Sequence, residues 1–138
     1  LLLIERPDNL KGNDQCVAAL ALGLRDSTPP GTRIAIAAAG VITWLAPGRR
    51  YVDILGFNDL AIARLPARRA PAGSNTLTWF FPGHMKFDLA LLVVRDNPDI
   101  IAQVLGNDRY DSQLTALLNY QPVWTNYAGY ENAILIRK

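Results

Sequence analysis

The chain has 138 residues, of which 50% are hydrophobic and 19% are charged, and its formal net charge is +2. This length fits one domain with a core of its own, and the composition excludes intrinsic disorder. The small net charge gives no indication of a nucleic-acid partner. One cysteine excludes an internal disulfide framework, and one Cys with one His leaves no Cys/His set for zinc. We expect no metal and no other cofactor.

The chain opens on the apolar run Leu1-Leu2-Leu3-Ile4, with no initiator methionine and no cationic segment before it. Four residues are too few for a signal-peptide core or for a membrane span, which needs about 20. Two interpretations stay open: the end of a longer apolar segment, or, more simply, a buried edge strand or an arbitrary boundary. We expect residues 1–138 to be a single soluble domain and a fragment of a larger protein.

The first half of the chain alternates helical periodicity with short apolar runs. The predicted elements are a helix from Asn13 or Asp14 through Leu24, a strand over Arg33–Ala37, a short helix over Ala39–Leu45 and a strand over Tyr51–Leu55. Residues 26–31 end the first helix, because consecutive prolines and a glycine cannot continue it. The segment 39–45 also fits a strand, but its length favours a helix. A strand, a short helix and a strand in succession predict parallel pairing.

The second half continues the pattern and then changes to an antiparallel one. The predicted elements are a brief helix from Asn58 or Asp59 to Ala63, a loop over 66–73, an extended aromatic segment over Leu77–Phe81, a helix over Phe87–Arg95, a strand over Asp99–Val104, a helix near Asp111–Leu118, and a hairpin of Val123–Tyr127 with Asn132–Arg137. The fold class is therefore α/β: a small mixed, partly parallel sheet flanked by helices, with a C-terminal antiparallel hairpin.

The densest polar cluster runs from Asp53 to Asp59. Asp53 falls near the C-terminal end of a predicted strand, where α/β sheets place groups that contact ligands, and Gly56 permits a sharp turn. The alternative is structural, with Asp53 satisfied by hydrogen bonds and Asp59 serving as a helix cap. The two carboxylates would form a pair for glycoside chemistry only if the turn brought them together.

A second cluster is Trp79-Phe-Phe-Pro-Gly-His-Met-Lys86. His84 follows Gly83 in a predicted loop and is the one side chain whose ordinary pKa lies near neutrality. It suits a general base or a phosphate contact, although a His held by hydrogen bonds is the commoner outcome. Lys86 would pair with a phosphate or with Asp88. The aromatic run suits either a sugar-stacking face or a strand packed in the core.

Five arginines crowd the middle of the chain: Arg49, Arg50, Arg64, Arg68 and Arg69. A solvated face is the usual meaning of such a cluster, and a surface for phosphate-rich ligands is the alternative. Several catalytic motifs are absent from the sequence. The segment 37–40 after the first strand lacks the glycines of a dinucleotide loop, and there is no Walker loop or nucleophile elbow. The domain alone does not have the pattern of a complete enzyme.

The order of three short motifs resembles a known group. A strand ends at Asp53 and is followed by a turn with Gly56 and a helix at Asp59; a Gly-His-x-Lys segment follows at 83–86, and a Pro-Asp pair at 98–99 leads into a strand. This order is similar to that in the C-terminal extracytoplasmic domain of polytopic bacterial membrane glycosyltransferases of the GT-C type, such as the arabinofuranosyl- and mannosyltransferase-like proteins. The likeness runs from about Val17 to Asp99. Phe57 replaces the usual Leu, and Met85 stands where the group often has an acidic residue.

The resemblance implies a periplasmic domain beside a membrane-embedded active site. The partners it implies are the membrane-embedded remainder of the chain, a polyprenyl-phosphate sugar and a glycan acceptor. The candidate binding residues are Asp53, Gly56, Asp59, Gly83, His84 and Lys86. In such enzymes the catalytic carboxylate lies between early membrane helices, so the catalytic residue is expected outside this domain.

Two other functions stay open from the sequence. One is a non-catalytic module that binds glycan or a partner protein through the aromatic and arginine surfaces. The other is a standalone nucleotide-binding α/β enzyme, against which the missing glycine loop argues.

Overall fold

A computed structural model describes residues 13–67, 85–103 and 118–138 of the chain. Within them lie four helices, α1 (Asn13–Ser27), α2 (Ala39–Leu45), α3 (Leu60–Ala63) and α4 (Leu89–Asp96), and five strands, β1 (Arg33–Ile36), β2 (Arg50–Asp53), β3 (Ile100–Ile101), β4 (Tyr120–Tyr127) and β5 (Tyr130–Arg137).

The five strands form one mixed sheet in the order β2-β1-β3-β5-β4. β1 pairs in parallel with both β2 and β3, whereas β5 pairs antiparallel with β3 and with β4. The predicted fold class is confirmed, including the parallel crossover through α2 and the closing hairpin. The sheet therefore has a parallel half, which orders the strand ends as α/β sheets do, and an antiparallel half built from local pairing.

Helices cover both faces of the sheet. On one face α1 and α2 pack against the alternate strand residues Ile34, Ile36, Ile100 and Ile134. On the other face α4 packs against Ala35 and Ile101 through Leu89 and Leu92. Because consecutive strand residues point to opposite faces, the run Arg33–Ile36 supplies both cores, and its last three residues are fully buried.

The C-terminal end of α1 is at Ser27, three residues past the predicted Leu24 but within the segment 26–31 that is predicted to end the helix. The hydroxyls of Ser27 and Thr28 donate back to the carbonyls of Gly23 and Leu24, and Pro29 and Pro30 follow. The guanidinium of Arg49 then donates to the carbonyls of Arg25 and Thr28. The Arg25 carbonyl has no backbone donor four residues on, because residue 29 is a proline, and Arg49 supplies a donor instead.

Several boundaries differ from the sequence-based prediction. β2 ends at Asp53, because Ile54 and Leu55 belong to a turn even though both are buried. α4 begins at Leu89 rather than Phe87, since the Asp88 side chain caps it by accepting from the Leu91 amide. β3 is only two residues long, and β4 begins three residues earlier than predicted, at Tyr120.

Some predictions fall outside the described residues. They are the loop over 66–73 beyond Ala67, the aromatic segment 77–81, and the helix near 111–118 except for Leu118, which lies in a turn. Across the described part of the chain, no helix combines the length and the apolar character that a membrane crossing requires.

Candidate functional site

Asp53 is the last residue of β2 and the one buried acidic side chain among the described residues, with 7% of its surface exposed. Its Oδ1 accepts from the amides of Leu55 and Gly56 at 3.0 and 3.1 Å, and its Oδ2 accepts from the Asn58 amide at 2.6 Å. Three backbone donors thus converge on one carboxylate, which folds the chain sharply back after the strand. These contacts are those expected of Asp53 in a structural role, with its carboxylate satisfied by hydrogen bonds.

Gly56 lies inside this turn at a position where a side chain does not fit. Its φ of 75° is in the left-handed region. A Cβ built there would stand 2.7 Å from the Ala63 amide nitrogen and 2.8 Å from Cγ2 of Ile62. The glycine therefore allows the turn to lie directly against α3, and it contributes no chemistry of its own.

Asp59 caps α3 and ties it to α4. Its Oδ1 accepts from the amides of Ala61 and Ile62 at 2.9 and 3.3 Å. Both carboxylate oxygens also accept from the guanidinium of Arg95, in a forked ion pair across two elements. The hydrogen bonds from Arg95, followed by those of the cap, hold the pKa of Asp59 below its ordinary value. Asp59 is therefore an ionised structural acid.

Lys86 reaches the other end of the same helix. Its Nζ donates to the Ala63 carbonyl at 2.7 Å, across 23 residues of sequence, where α3 ends. The side chain is half-buried, beside the buried Met85. An ammonium has three N–H donors, so one contact leaves donors available for a further acceptor. Of the candidate residues that the structure describes, Lys86 is the one with such capacity to spare.

A pocket of about 310 Å³ opens next to Lys86. We call it the Lys86 pocket; its lining residues are Leu55, Gly56, Phe57, Ala63, Ala67, Met85 and Lys86. The walls are mostly apolar and the polar feature is the ammonium, so the pocket suits an anionic group attached to an apolar one. None of these seven described residues carries a carboxylate.

The structure brings four of the six candidate residues together. Asp53, Gly56, Asp59 and Lys86 surround the single turn of α3 at the C-terminal edge of β2. Gly83 and His84 lie outside the described residues. Among the residues that are described, no group of three His, Cys, Asp or Glu side chains is placed to hold a metal ion.

Gln103 lies at the C-terminal edge of the parallel strands, which we call the parallel edge. The sequence does not indicate it as a site residue. The Oε1 of Gln103 accepts from the amides of Ala37 and Ala38, at 2.9 and 2.7 Å, where β1 ends and α2 begins. This is the point between β1 and β3 where parallel sheets of this strand order bind ligands. Gln103 already satisfies the amides that a phosphate would need. No local sequence signal reveals this contact, because its partners are 65 and 66 residues away.

The described arginines of the predicted cluster have separate positions. Arg49 donates to backbone carbonyls at the end of α1, whereas Arg50 and Arg64 are exposed; Arg68 and Arg69 lie outside the described residues.

A separate group of charged side chains lies across the sheet, at the N-terminal edge of its parallel strands. There Asp99 lies between Arg33 and Arg137. Its Oδ2 accepts from the backbone amide of Arg33 at 2.9 Å, and its Oδ1 forms an ion pair with the guanidinium of Arg137.

These features define the class of the protein: an α/β domain with helices on both faces of a sheet that is parallel on one side and antiparallel on the other. The chain belongs to the family described as a domain of unknown function, DUF8728, whose profile matches residues 8–134. No curated protein matches the chain. No solved structure matches it either.

Proposed function

We propose that this chain is the extracytoplasmic domain of a polytopic membrane glycosyltransferase. The whole protein would transfer a sugar from a polyprenyl-phosphate donor to a cell-envelope glycan or lipid, on the periplasmic face of the bacterial cytoplasmic membrane. The domain itself would shape the site and bind substrate beside the membrane-embedded remainder of the chain. The catalytic residue would lie in that remainder.

The observation that carries the proposal is the position of Lys86. The motifs that resemble the glycosyltransferase domains are far apart in sequence, yet the strand-end turn at Asp53 and the Lys of Gly-His-x-Lys meet at α3. Their meeting point holds an apolar pocket with one available cation. A lipid-linked sugar phosphate has the matching chemistry, an anion between two larger groups.

The contacts of the two aspartates support the proposal that this domain binds substrate and that the catalytic residue lies elsewhere. Asp53 is occupied by three backbone amides, and Asp59 by its cap and by Arg95. A general base must reach the proton it removes, and both carboxylates are committed elsewhere. A domain that positions the donor phosphate while another segment supplies the base is consistent with these contacts.

The test is a transfer assay on membranes that contain the full-length protein. The donors are polyprenyl-phosphate arabinose and polyprenyl-phosphate mannose, each labelled in the sugar. We expect Lys86→Gln to raise the KM for the donor about tenfold, since the lost contact is a hydrogen bond between two charged groups. Lys138→Gln is the matched control, because Lys138 Nζ also donates to one backbone carbonyl, that of Leu118.

Three outcomes separate the parts of the proposal. A donor KM that Lys86→Gln leaves unchanged, in a variant with normal thermal stability, removes Lys86 from the site. No transfer by the unaltered protein with either donor contradicts the transferase assignment. Saturable glycan binding that Lys86→Gln weakens, in a full-length protein that transfers neither sugar, supports the non-catalytic module instead.

A further inference from the structure

A second pocket, of about 340 Å³, lies between α1 and the β4–β5 hairpin. We call it the α1–hairpin groove. It shares no lining residue with the Lys86 pocket. Its apolar surface comes from small and aliphatic residues, Ala19, Leu20, Gly23, Leu24 and Ile134. Its polar lining comes from Asp26, Ser27, Thr125, Asn126, Tyr127 and Asn132. An apolar floor with several convergent polar groups is the usual composition of a small-molecule site.

Two of the polar groups are held in fixed positions. The Tyr127 hydroxyl donates to Oδ2 of Asp26 at 2.9 Å and thereby joins the hairpin to α1. The Tyr127 ring lies against Gly23, where an added Cβ would be 3.4 Å from Cβ of the tyrosine. The hydrogen bond from Arg25, then that from Tyr127, lowers the pKa of Asp26, which keeps its carboxylate an acceptor at neutral pH.

Two amide side chains add unused hydrogen-bonding capacity. Asn126 accepts from the Gly129 amide through Oδ1, which leaves its two N–H donors available. The Asn132 side chain is half-buried and lines the groove, and within the described part of the chain it makes no hydrogen bond. The groove therefore offers donors from two amides and acceptors from a carboxylate and an amide oxygen.

We propose that the α1–hairpin groove binds a neutral saccharide of one or two rings. A sugar hydroxyl both donates and accepts, which matches a lining that mixes amide donors with carboxylate and amide acceptors. The volume lies near the lower end of the range of about 300–1,000 Å³ for ligand sites, so the ligand is small. The fixed Tyr127 ring and the apolar floor suit the C–H surface of a sugar ring.

The charges of the groove favour a neutral ligand over an ionic one. The carboxylate of Asp26 disfavours an anion, and its charge is already matched by Arg25 at 2.9 Å, which reduces the attraction for a cation. The inference does not rest on the proposed transferase function, since it concerns a different pocket and can be tested on the isolated 138-residue chain.

The experiment is an NMR titration of the ¹⁵N-labelled chain. The probes are the methyl glycosides of glucose, mannose and arabinose, with maltose as a two-ring probe, and sodium phosphate and choline chloride as the charged comparisons. We expect saturable binding of at least one sugar at about millimolar Kd, with shifts concentrated at Gly23, Thr125 and Asn132. Asn132→Ala should weaken that binding about three- to tenfold, the factor that one ordinary hydrogen bond represents.

Asn119→Ala is the matched control, because Asn119 precedes β4 and does not line the groove. Asn132→Asp is a second variant of nearly the same shape, and it should also weaken sugar binding because it replaces the donor by a carboxylate. Absence of saturable sugar binding overturns the proposal, as does tighter binding of phosphate or choline. Sugar binding that both Asn132 variants leave unchanged overturns the location.

Discussion

Arg95 and Asp59, 36 residues apart in the sequence, join α3 to α4, since the guanidinium of the α4 residue donates to both carboxylate oxygens of the α3 cap. One side chain thereby serves as helix cap and as ion-pair partner. The contact fixes α3, and with it one wall of the Lys86 pocket, onto the layer formed by α4.

Replacing Asp59 by Ala should therefore lower the free energy of unfolding by about 1–2 kcal/mol, mostly through the lost cap. Urea denaturation at pH 7 measures this difference. Glu131→Ala is the control, since Glu131 is exposed on the hairpin and should change stability by less than about 0.5 kcal/mol. Equal stability of the Asp59 variant and the unaltered chain would mean that the cap and the ion pair contribute nothing.

The same carboxylate predicts a pH dependence of stability. Because the folded-state pKa of Asp59 lies below its ordinary value of 3.8, the unfolded chain binds more protons between the two values. The contribution of Asp59 is complete above about pH 4 and is lost as the pH falls through the folded pKa. The urea concentration at the unfolding midpoint, measured between pH 7 and pH 2.5, should decrease at the acidic end of this range. It should decrease less steeply for Asp59→Asn, whose side chain does not titrate, and parallel curves would contradict the assignment.

Replacing Gly56 by Ala should be the most damaging of the conservative changes near the pocket. The new Cβ would meet backbone and side-chain atoms of α3 at under 3 Å, at a φ that favours glycine, so we expect a loss of about 2–4 kcal/mol. Gly129→Ala separates the two causes. Gly129 has a φ of 85° but nothing within 4 Å of an added Cβ, so its loss should stay near about 1 kcal/mol. Similar losses for both would show that the close approach at α3 is unimportant.

Gln103 gives a prediction about the parallel edge. Gln103→Ala leaves the amides of Ala37 and Ala38 without their side-chain acceptor and should cost about 1–3 kcal/mol. Gln103→Glu keeps an acceptor at the same place and should be close to neutral in thermal denaturation. A Glu variant as unstable as the Ala variant would show that packing of the side chain, rather than its hydrogen bonds, is what matters.

The parts of the fold that the sequence predicted are those with local causes. Asp59 as a cap, the end of α1 before two prolines and the closing hairpin all depend on neighbouring residues. β2 ends two residues before the predicted Leu55, although Ile54 and Leu55 are apolar and buried like strand residues. The deciding interaction is the Asp53 carboxylate, which accepts the amides of the turn.

At the candidate site, too, the sequence predicts local features but not contacts between distant segments. The sequence located Asp53, Gly56 and Lys86 as residues of interest, but their arrangement depends on contacts between distant segments. The hydrogen bond from Lys86 to Ala63 and the ion pair of Arg95 with Asp59 join elements that no local pattern relates. The early start of β4 is a separate matter, since the strand includes Pro122, one residue before its predicted start. A proline weakens the prediction of a strand, yet an outer strand tolerates one where its missing N–H would face solvent.

β3 joins the two halves of the sheet with only two residues, Ile100 and Ile101. The hairpin beside it forms from adjacent strands, whereas the contact between Arg33 and Asp99 at the start of β3 closes a loop of 66 residues. The entropy of that closure must be overcome before the short strand gains its pairings. We therefore expect the hairpin and the β1-α2-β2 unit to form early, and the pairing of β3 between β1 and β5 to form later.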